Sequence, residues 1–332
     1  MKRALLLLLI SSGRAAARQG PPPAIDPRVD ATFQIYDRGD KAAAKRELDK
    51  LLVAAASDPA AMVLLAHGLD MRQEYAWAEP FARRAVLLRP DFAPCQYALG
   101  VSLLFTDHVE EAERVLRAAA GRFAGTQDEP DLVFSLAMAC VLQNKRLEGG
   151  LTFAKAIELQ PKNALYRFSA AENDRNLKRL AEAEAGFRLA MTLEPPHADA
   201  AWKLAMTLAE LGRFAEAEPL FQRAIAQGTP ASRQSAAYQF AVFLFERGRA
   251  QEALPLLQAL VKARPADRMA WNYLARTLRA LGHKEESAAA LKRYQSLQAE
   301  FDRTETDYLL GLIRAQRSGG RAPDGKQMPE RH

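Results

Sequence analysis

At 332 residues the chain is long enough for two or three ordinary domains of roughly 150 residues, yet alanine and leucine dominate it and no run alternates as a half-buried strand would. Its formal charge of +6 shrinks when residues 1–17 are set aside, because Lys2, Arg3 and Arg14 go with them and no acid does; of the 46 basic residues 43 remain against 40 acidic ones. Basic and acidic residues are interleaved, which excludes the clustered stripe that phosphate neutralisation needs, so no nucleic-acid partner is expected.

The chain opens with Lys2 and Arg3, an apolar run from Ala4 to Ile10, and Ala15-Ala16-Ala17. This basic, apolar, small-residue order is the layout of a secretory signal peptide over residues 1–17, with Gly13 as an alternative cut. The competing reading is a plain cytosolic leader. The apolar run is too short to span a bilayer, which takes about 20 residues. No cysteine follows it, so a lipid anchor is not expected either. The reading gives a secreted or periplasmic protein. Residues 18–24 carry Pro21-Pro22-Pro23 and read as a stiff linker.

From Ile25 the sequence repeats. Units begin near residues 25, 59, 93, 130, 164, 198, 234 and 268, in steps of 34, 34, 37, 34, 34, 36 and 34. The clearest copy carries Trp202, Leu204, Ala205, Leu208, Gly212, Phe214, Ala217, Phe221 and Ala224, with Pro230 just beyond. A small residue recurs in the first half of the unit (Ala66, Gly100, Ala137, Ala171, Ala205, Ala241, Ala275) and another opens the second half (Ala44, Ala78, Ala112, Gly149, Ala183, Ala217, Ala253, Ser287). Small residues let two helices approach closely, and the bulky Phe153, Phe187, Phe221, Leu257 and Leu291 fill the groove between them. Gly39, Gly212, Gly248 and Gly282 stand where one helix ends and the next begins. Pro90, Pro161, Pro195 and Pro265 close units because proline does not continue a helix.

The pattern resembles the tetratricopeptide repeat family, with its W-x2-L-G-x2-Y…A-x3-F…P signature. The resemblance covers residues 25–298 and implies an all-α, right-handed solenoid of eight helix–turn–helix repeats. Such a unit buries its apolar face only by stacking on neighbours. Residues 299–316 carry Phe301, Tyr308, Leu309, Leu312 and Ile313 at helical spacing and read as a capping helix; residues 317–332 read as a disordered tail. The 37-residue step places three extra residues in the turn from Gly121 to Glu129, either a tolerated insertion or a contact loop. Cys95 and Cys140 fall on first helices of adjacent repeats, eight positions out of register. That leaves their Cα atoms roughly 15 Å apart against a limit near 7 Å, so both are expected free.

No catalytic constellation stands out. The five histidines are scattered, the His67 and Asp70 pair reads as a surface hydrogen bond, and no metal or phosphate-binding motif occurs. Glu110-Glu111 and Glu285-Glu286 suit the positive end of a helix. No cofactor and no metal are expected, and the protein reads as non-enzymatic.

What remains is the inner face, which the resemblance assigns to the first helices. One line of it reads Val29, Val63, Tyr97, Phe134, Phe168, Trp202, Tyr238 and Asn272, with five consecutive aromatics; a turn further lie Met138, Met206 and Arg276, and beyond them Arg175. If each ring keeps about 100 Å² open, the stripe totals roughly 500 Å², the size of a binding patch. The competing reading packs the rings on their neighbours. Tyr97, Phe134, Met138, Phe168, Arg175, Trp202, Met206, Tyr238 and Arg276 are thus the expected groove, and the expected function is an extracytoplasmic scaffold holding a peptide segment of a partner protein. The alternative is an accessory or regulatory subunit of an enzyme or assembly complex, with catalytic residues not recognised here.

Overall fold

Among the described residues, eight helix pairs follow the repeat frame. They are α1 (Pro27–Asp37) with α2 (Lys41–Ala54), α3 (Pro59–Met71) with α4 (Tyr75–Leu88), α5 (Ala93–Phe105) with α6 (Val109–Arg122), and α7 (Glu129–Leu142) with α8 (Arg146–Leu159). Then come α9 (Ala164–Asn176) with α10 (Leu180–Leu193), α11 (Ala198–Glu210) with α12 (Phe214–Gln227), α13 (Pro230–Glu246) with α14 (Ala250–Ala263), and α15 (Arg268–Ala280) with α16 (Lys284–Ser318). This computed structural model describes residues 27–54, 58–195 and 197–318, and among them there is no strand. The expected leader at 1–17, the linker and the tail from residue 319 lie outside the described residues. The chain divides into two compact units, residues 1–194 and 195–332, so the first holds α1–α10 and the second α11–α16.

Start and stop signals explain the boundaries. First helices open on side-chain caps: Asp58 accepts from the amides of Ala60 and Ala61 at 3.0 and 3.2 Å, Asn163 from Tyr166, and Asp267 from Ala270 at 3.1 Å. Pro59, Pro94, Pro130 and Pro230 occupy opening turns, where a missing N–H costs nothing. Two expectations change here. The first helix of the seventh unit opens on Pro230, with the Thr229 hydroxyl accepting from Ser232 N, four residues before the expected 234. The expected cap is not a separate helix either, since α16 runs unbroken from Lys284 to Ser318. No glycine or proline interrupts it between residues 284 and 310.

The turn inside seven of the eight pairs is one motif repeated. The amides of Glu74, His108, Lys145, Arg179, Arg213, Arg249 and His283 donate to the carbonyls five residues earlier, at 2.8 to 3.0 Å. The residue before each of these has a left-handed backbone. This is the Schellman closure of a helix C-terminus. Glycine supplies the positive φ at 212, 248 and 282, as expected, but Gln73, Asp107, Asn144 and Lys178 adopt it too, with φ of 60 to 66°. Their backbones are held there by the next helix pairing back on the first.

Packing within each pair sets the core. In the first unit Phe153 lies 5.6 Å from Phe134 and Phe187 lies 5.6 Å from Phe168, each second helix laying its ring on the first helix of its own repeat. In the second unit Phe221 meets Phe240 and Phe243 of α13. Successive first helices also touch: α1 with α3, α3 with α5 and α5 with α7 in the first unit, and α11 with α13 and α13 with α15 in the second. No pair of successive second helices packs as closely among the described residues. Within each unit the first helices therefore form the tighter, inner layer. Cys95 and Cys140 are both free and buried in the first unit.

Gln73→Gly relieves a left-handed residue that is exposed at its turn. It is expected to raise stability by about 0.5–1 kcal/mol, after the entropy that glycine loses on folding. Gly212→Gln should lower it by a similar amount, since a Cβ there meets nothing within 4 Å and only the backbone is strained. Urea midpoints of the two variants check both signs.

Candidate functional site

Burial sorts the expected groove residues into two sets. Phe134 is 1% exposed, Met138 0%, Phe168 2% and Trp202 8%, so these four offer almost no area to a ligand. The cause in the first unit is the phenylalanine of the second helix: Phe134 is clasped between Phe153 and a stacked Tyr166 ring at 4.5 Å, and Phe168 lies against Phe187. The stripe of five equally open rings is not present. Tyr97, Arg175, Met206 and Tyr238 are half-buried, and Arg276 is exposed.

The inner layer of the first unit holds buried acids instead. Asp70 on α3 is 3% exposed, and its carboxylate accepts only a long 3.5 Å hydrogen bond from the Ser102 hydroxyl of α5. Burial drives its pKa well above the usual carboxylate range, with Ser102 offsetting a part. The expected partner, His67, is not in hydrogen-bonding contact with it. Burial also pushes the His67 pKa down, so the two groups are both biased toward their neutral forms. Further along, the Tyr166 hydroxyl of α9 donates to Asp131 of α7 at 2.5 Å, and burial raises both groups. Neither carboxylate was legible as buried, because polar residues at these positions usually face solvent.

Other chemistry-bearing clusters are structural. Glu113, Cys140 and Glu148 bring ligand atoms within 4.8 Å of one another. Lys145 and Arg117 already neutralise Glu113, Arg117 also reaches Glu148, and the buried Cys140 thiol is shifted up. Glu113 is held down at about 2 by these cations, Lys145 foremost. At the turn after α5 the Thr106 hydroxyl lies 3.1 Å from His108 Nδ1, but it donates to Glu79 at 2.7 Å and the trio closes a helix end rather than a cleft. The long turn before α7 is pinned, with Gly125 N donating to Glu129 and Lys155 pairing with the same carboxylate.

The second unit presents a different inner surface. Tyr238 and Phe245 stand two turns apart on α13, and Tyr273 and Arg276 one turn apart on α15. The Tyr273 ring meets Tyr238 edge-on at 5.9 Å and Phe245 edge-on at 6.0 Å. The Arg276 guanidinium lies 4.8 Å from the centres of both Phe245 and Tyr273. All three rings are half-buried. Phe245 and Tyr273 lie off the line of inner positions, and the seven-residue step from Tyr238 to Phe245 is the signal that finds the first of them. Burial and the neighbouring Tyr273 raise the Tyr238 pKa, so its hydroxyl stays protonated at neutral pH.

The Asp70 shift has a sign that a titration checks. A carboxyl raised in the folded state contributes stability that is fully present below the unfolded value, near 3.9, and is lost as pH rises through the folded value. Relative to Asp70→Asn, the wild-type protein should therefore lose stability on going from about pH 4 to pH 8. Urea midpoints of both proteins across that range measure the difference, and parallel curves would mean that Asp70 ionises freely.

Comparison with known proteins adds to this geometry. A family model described as Tetratricopeptide repeat matches residues 97–164, 164–232 and 238–303. No curated protein matches the chain. Among solved structures it is similar to the Cut9–Hcn1 hetero-tetramer of the APC/C, with a TM-score of 0.60, 14% identity and 77% of this chain covered. The chain spans half the length of that match, 50%. It is also similar to the human IFIT1 dimer with m7Gppp-AAAA (TM-score 0.52, 15% identity, 89% of this chain and 77% of that one). A tetratricopeptide repeat protein from Parabacteroides merdae scores 0.52 at 16% identity over 61% of this chain and 79% of that one. At these identities the likeness shows the fold. With eight helix pairs, the repeated turn and model matches over most of residues 97–303, the chain belongs to the tetratricopeptide repeat family.

Proposed function

We propose that the protein is a non-enzymatic scaffold that holds a peptide segment of a partner protein on the inner face of its first helices, outside the cytoplasm. Proteins of this family are generally protein–protein interaction scaffolds. The observation that carries the reading is the second unit's inner surface, where the rings of Tyr238, Phe245 and Tyr273 are left half-open beside an exposed Arg276. Aromatic and arginine side chains dominate interface energies, and an arginine resting on rings is pre-organised for a partner. Met206 adds a half-buried, adaptable side chain on the inner layer of this unit, while Tyr97 and Arg175 are the half-buried members in the first unit. The leader layout of residues 1–17 supports the extracytoplasmic location, and no described helix is long and apolar enough to cross a membrane.

Selection of random twelve-residue peptides on the purified protein is expected to yield binders. Tyr238→Ala and Phe245→Ala should weaken them about tenfold or more, while unfolding midpoints shift far less than for core changes. Trp202→Ala and Phe221→Ala, at buried positions, should instead lower stability by about 3–5 kcal/mol. Binders indifferent to the Tyr238 and Phe245 changes would place the site elsewhere. N-terminal sequencing of the exported protein should begin after Ala17 or Gly13.

A further inference from the structure

Resting on that reading, we infer that the second unit's inner surface recognises an acidic stretch within the partner, two carboxylates alternating along an extended segment, with Arg276 as their principal seat. Three observations converge on α15. Arg276 is exposed, and its guanidinium is braced by the Phe245 and Tyr273 rings at 4.8 Å each. A guanidinium held against two rings has part of its freedom removed in advance, so less is lost when it grips a carboxylate with two parallel bonds. Second, Arg279 stands one turn along the same helix and is also exposed. Neither arginine has a carboxylate partner among the described residues, although Arg83, Arg117, Arg213 and Arg249 all do.

Third, the spacing selects the ligand. Residues three apart on a helix place their side chains about 5–6 Å apart. Alternate side chains of an extended peptide lie on one face about 6.6–7 Å apart, a step that long arginine side chains match. A chain terminus supplies only one carboxylate of its own and answers both arginines only when it also carries Asp or Glu at its end. An internal Asp/Glu-x-Asp/Glu segment answers both. Glu246, exposed at the end of α13, repels carboxylates on its side and so favours seating the acidic pair over α15. The apolar flank of the segment then covers Tyr238 and Tyr273.

The peptide selection tests this when run with two random libraries, one embedded between constant linkers and one ending in a free carboxyl terminus, each also panned against Arg276→Gln, Arg276→Lys and Arg279→Gln. The expected result is enrichment of alternating Asp or Glu in the embedded library, and binding that falls steeply with salt. Arg276→Gln should weaken the selected peptides about tenfold or more, Arg276→Lys about as strongly because the planar fork is lost, and Arg279→Gln less. Circular dichroism and urea midpoints should be unchanged, as both side chains are exposed. Binders without acidic enrichment, indifferent to Arg276→Gln, overturn the acidic seat and leave the scaffold reading standing. Enrichment confined to the free-terminus library overturns the internal segment, and displacement of selected peptides by oligoadenylate RNA at lower concentration than by an acidic peptide overturns a protein ligand. No binder in either library sinks the scaffold reading together with the seat.

Discussion

Close approach of paired helices is the constraint on which the rest depends. A Cβ added to Gly100 would fall 2.3 Å from Leu116 Cδ2, one on Gly149 2.6 Å from Val141 Cγ2, and one on Gly186 2.8 Å from the Ala171 Cβ. Those distances are below any real contact, so the second helix sits where it does because the facing residue is small. Once it sits there, the phenylalanine a turn further is carried into the groove, and Phe153, Phe187 and Phe221 end fully buried. Each repeat then depends on its neighbour for the other side of that groove, which is why the fold grows by stacking rather than around one centre.

The same constraint decides which aromatic residues stay open to solvent. In repeats four and five the first-helix ring lies directly under the second-helix phenylalanine of its own repeat, and Phe134 and Phe168 become core. In the second unit, Phe221 packs on Phe240 and Phe243, which leaves the neighbouring Tyr238 and Phe245 at the edge of the core. Two units with one repeat pattern thus differ in the side chains they expose. The first turns inward buried acids with raised pKa values, and the second half-open rings with an arginine.

Charge follows a parallel division. Along the second helices, ion pairs link consecutive repeats: Arg83 with Glu111, Arg117 with Glu148, and Arg249 with Glu218. These pairs are partly exposed and worth at most about 1 kcal/mol each, so they adjust the register of stacked repeats more than they hold the fold. They also occupy those cations. Arg276 and Arg279 of α15 form no such ion pair among the described residues, and Arg276 rests instead on the Phe245 and Tyr273 rings.

The repeat length, the small residues and the closing prolines determined by themselves that the chain is a stack of helix pairs, and the boundaries followed to within a few residues. The departures were at Pro230, which serves as well to open a helix as to close one, and after Leu297, where nothing in the sequence stops α16. The free cysteines followed from spacing alone. Exposure did not, because whether a ring at one inner position is covered depends on which side chain the next helix lays over it. Phe134 and Tyr238 occupy equivalent places in the repeat, and only the packing of their neighbours makes one core and the other surface. The left-handed turns at Gln73, Asp107, Asn144 and Lys178 carry the same lesson, since local preference favours glycine there and the closure of the helix pair overrides it. Arg276 was legible as a charge, and its seat on Phe245 and Tyr273 was decided by two helices meeting across a repeat boundary.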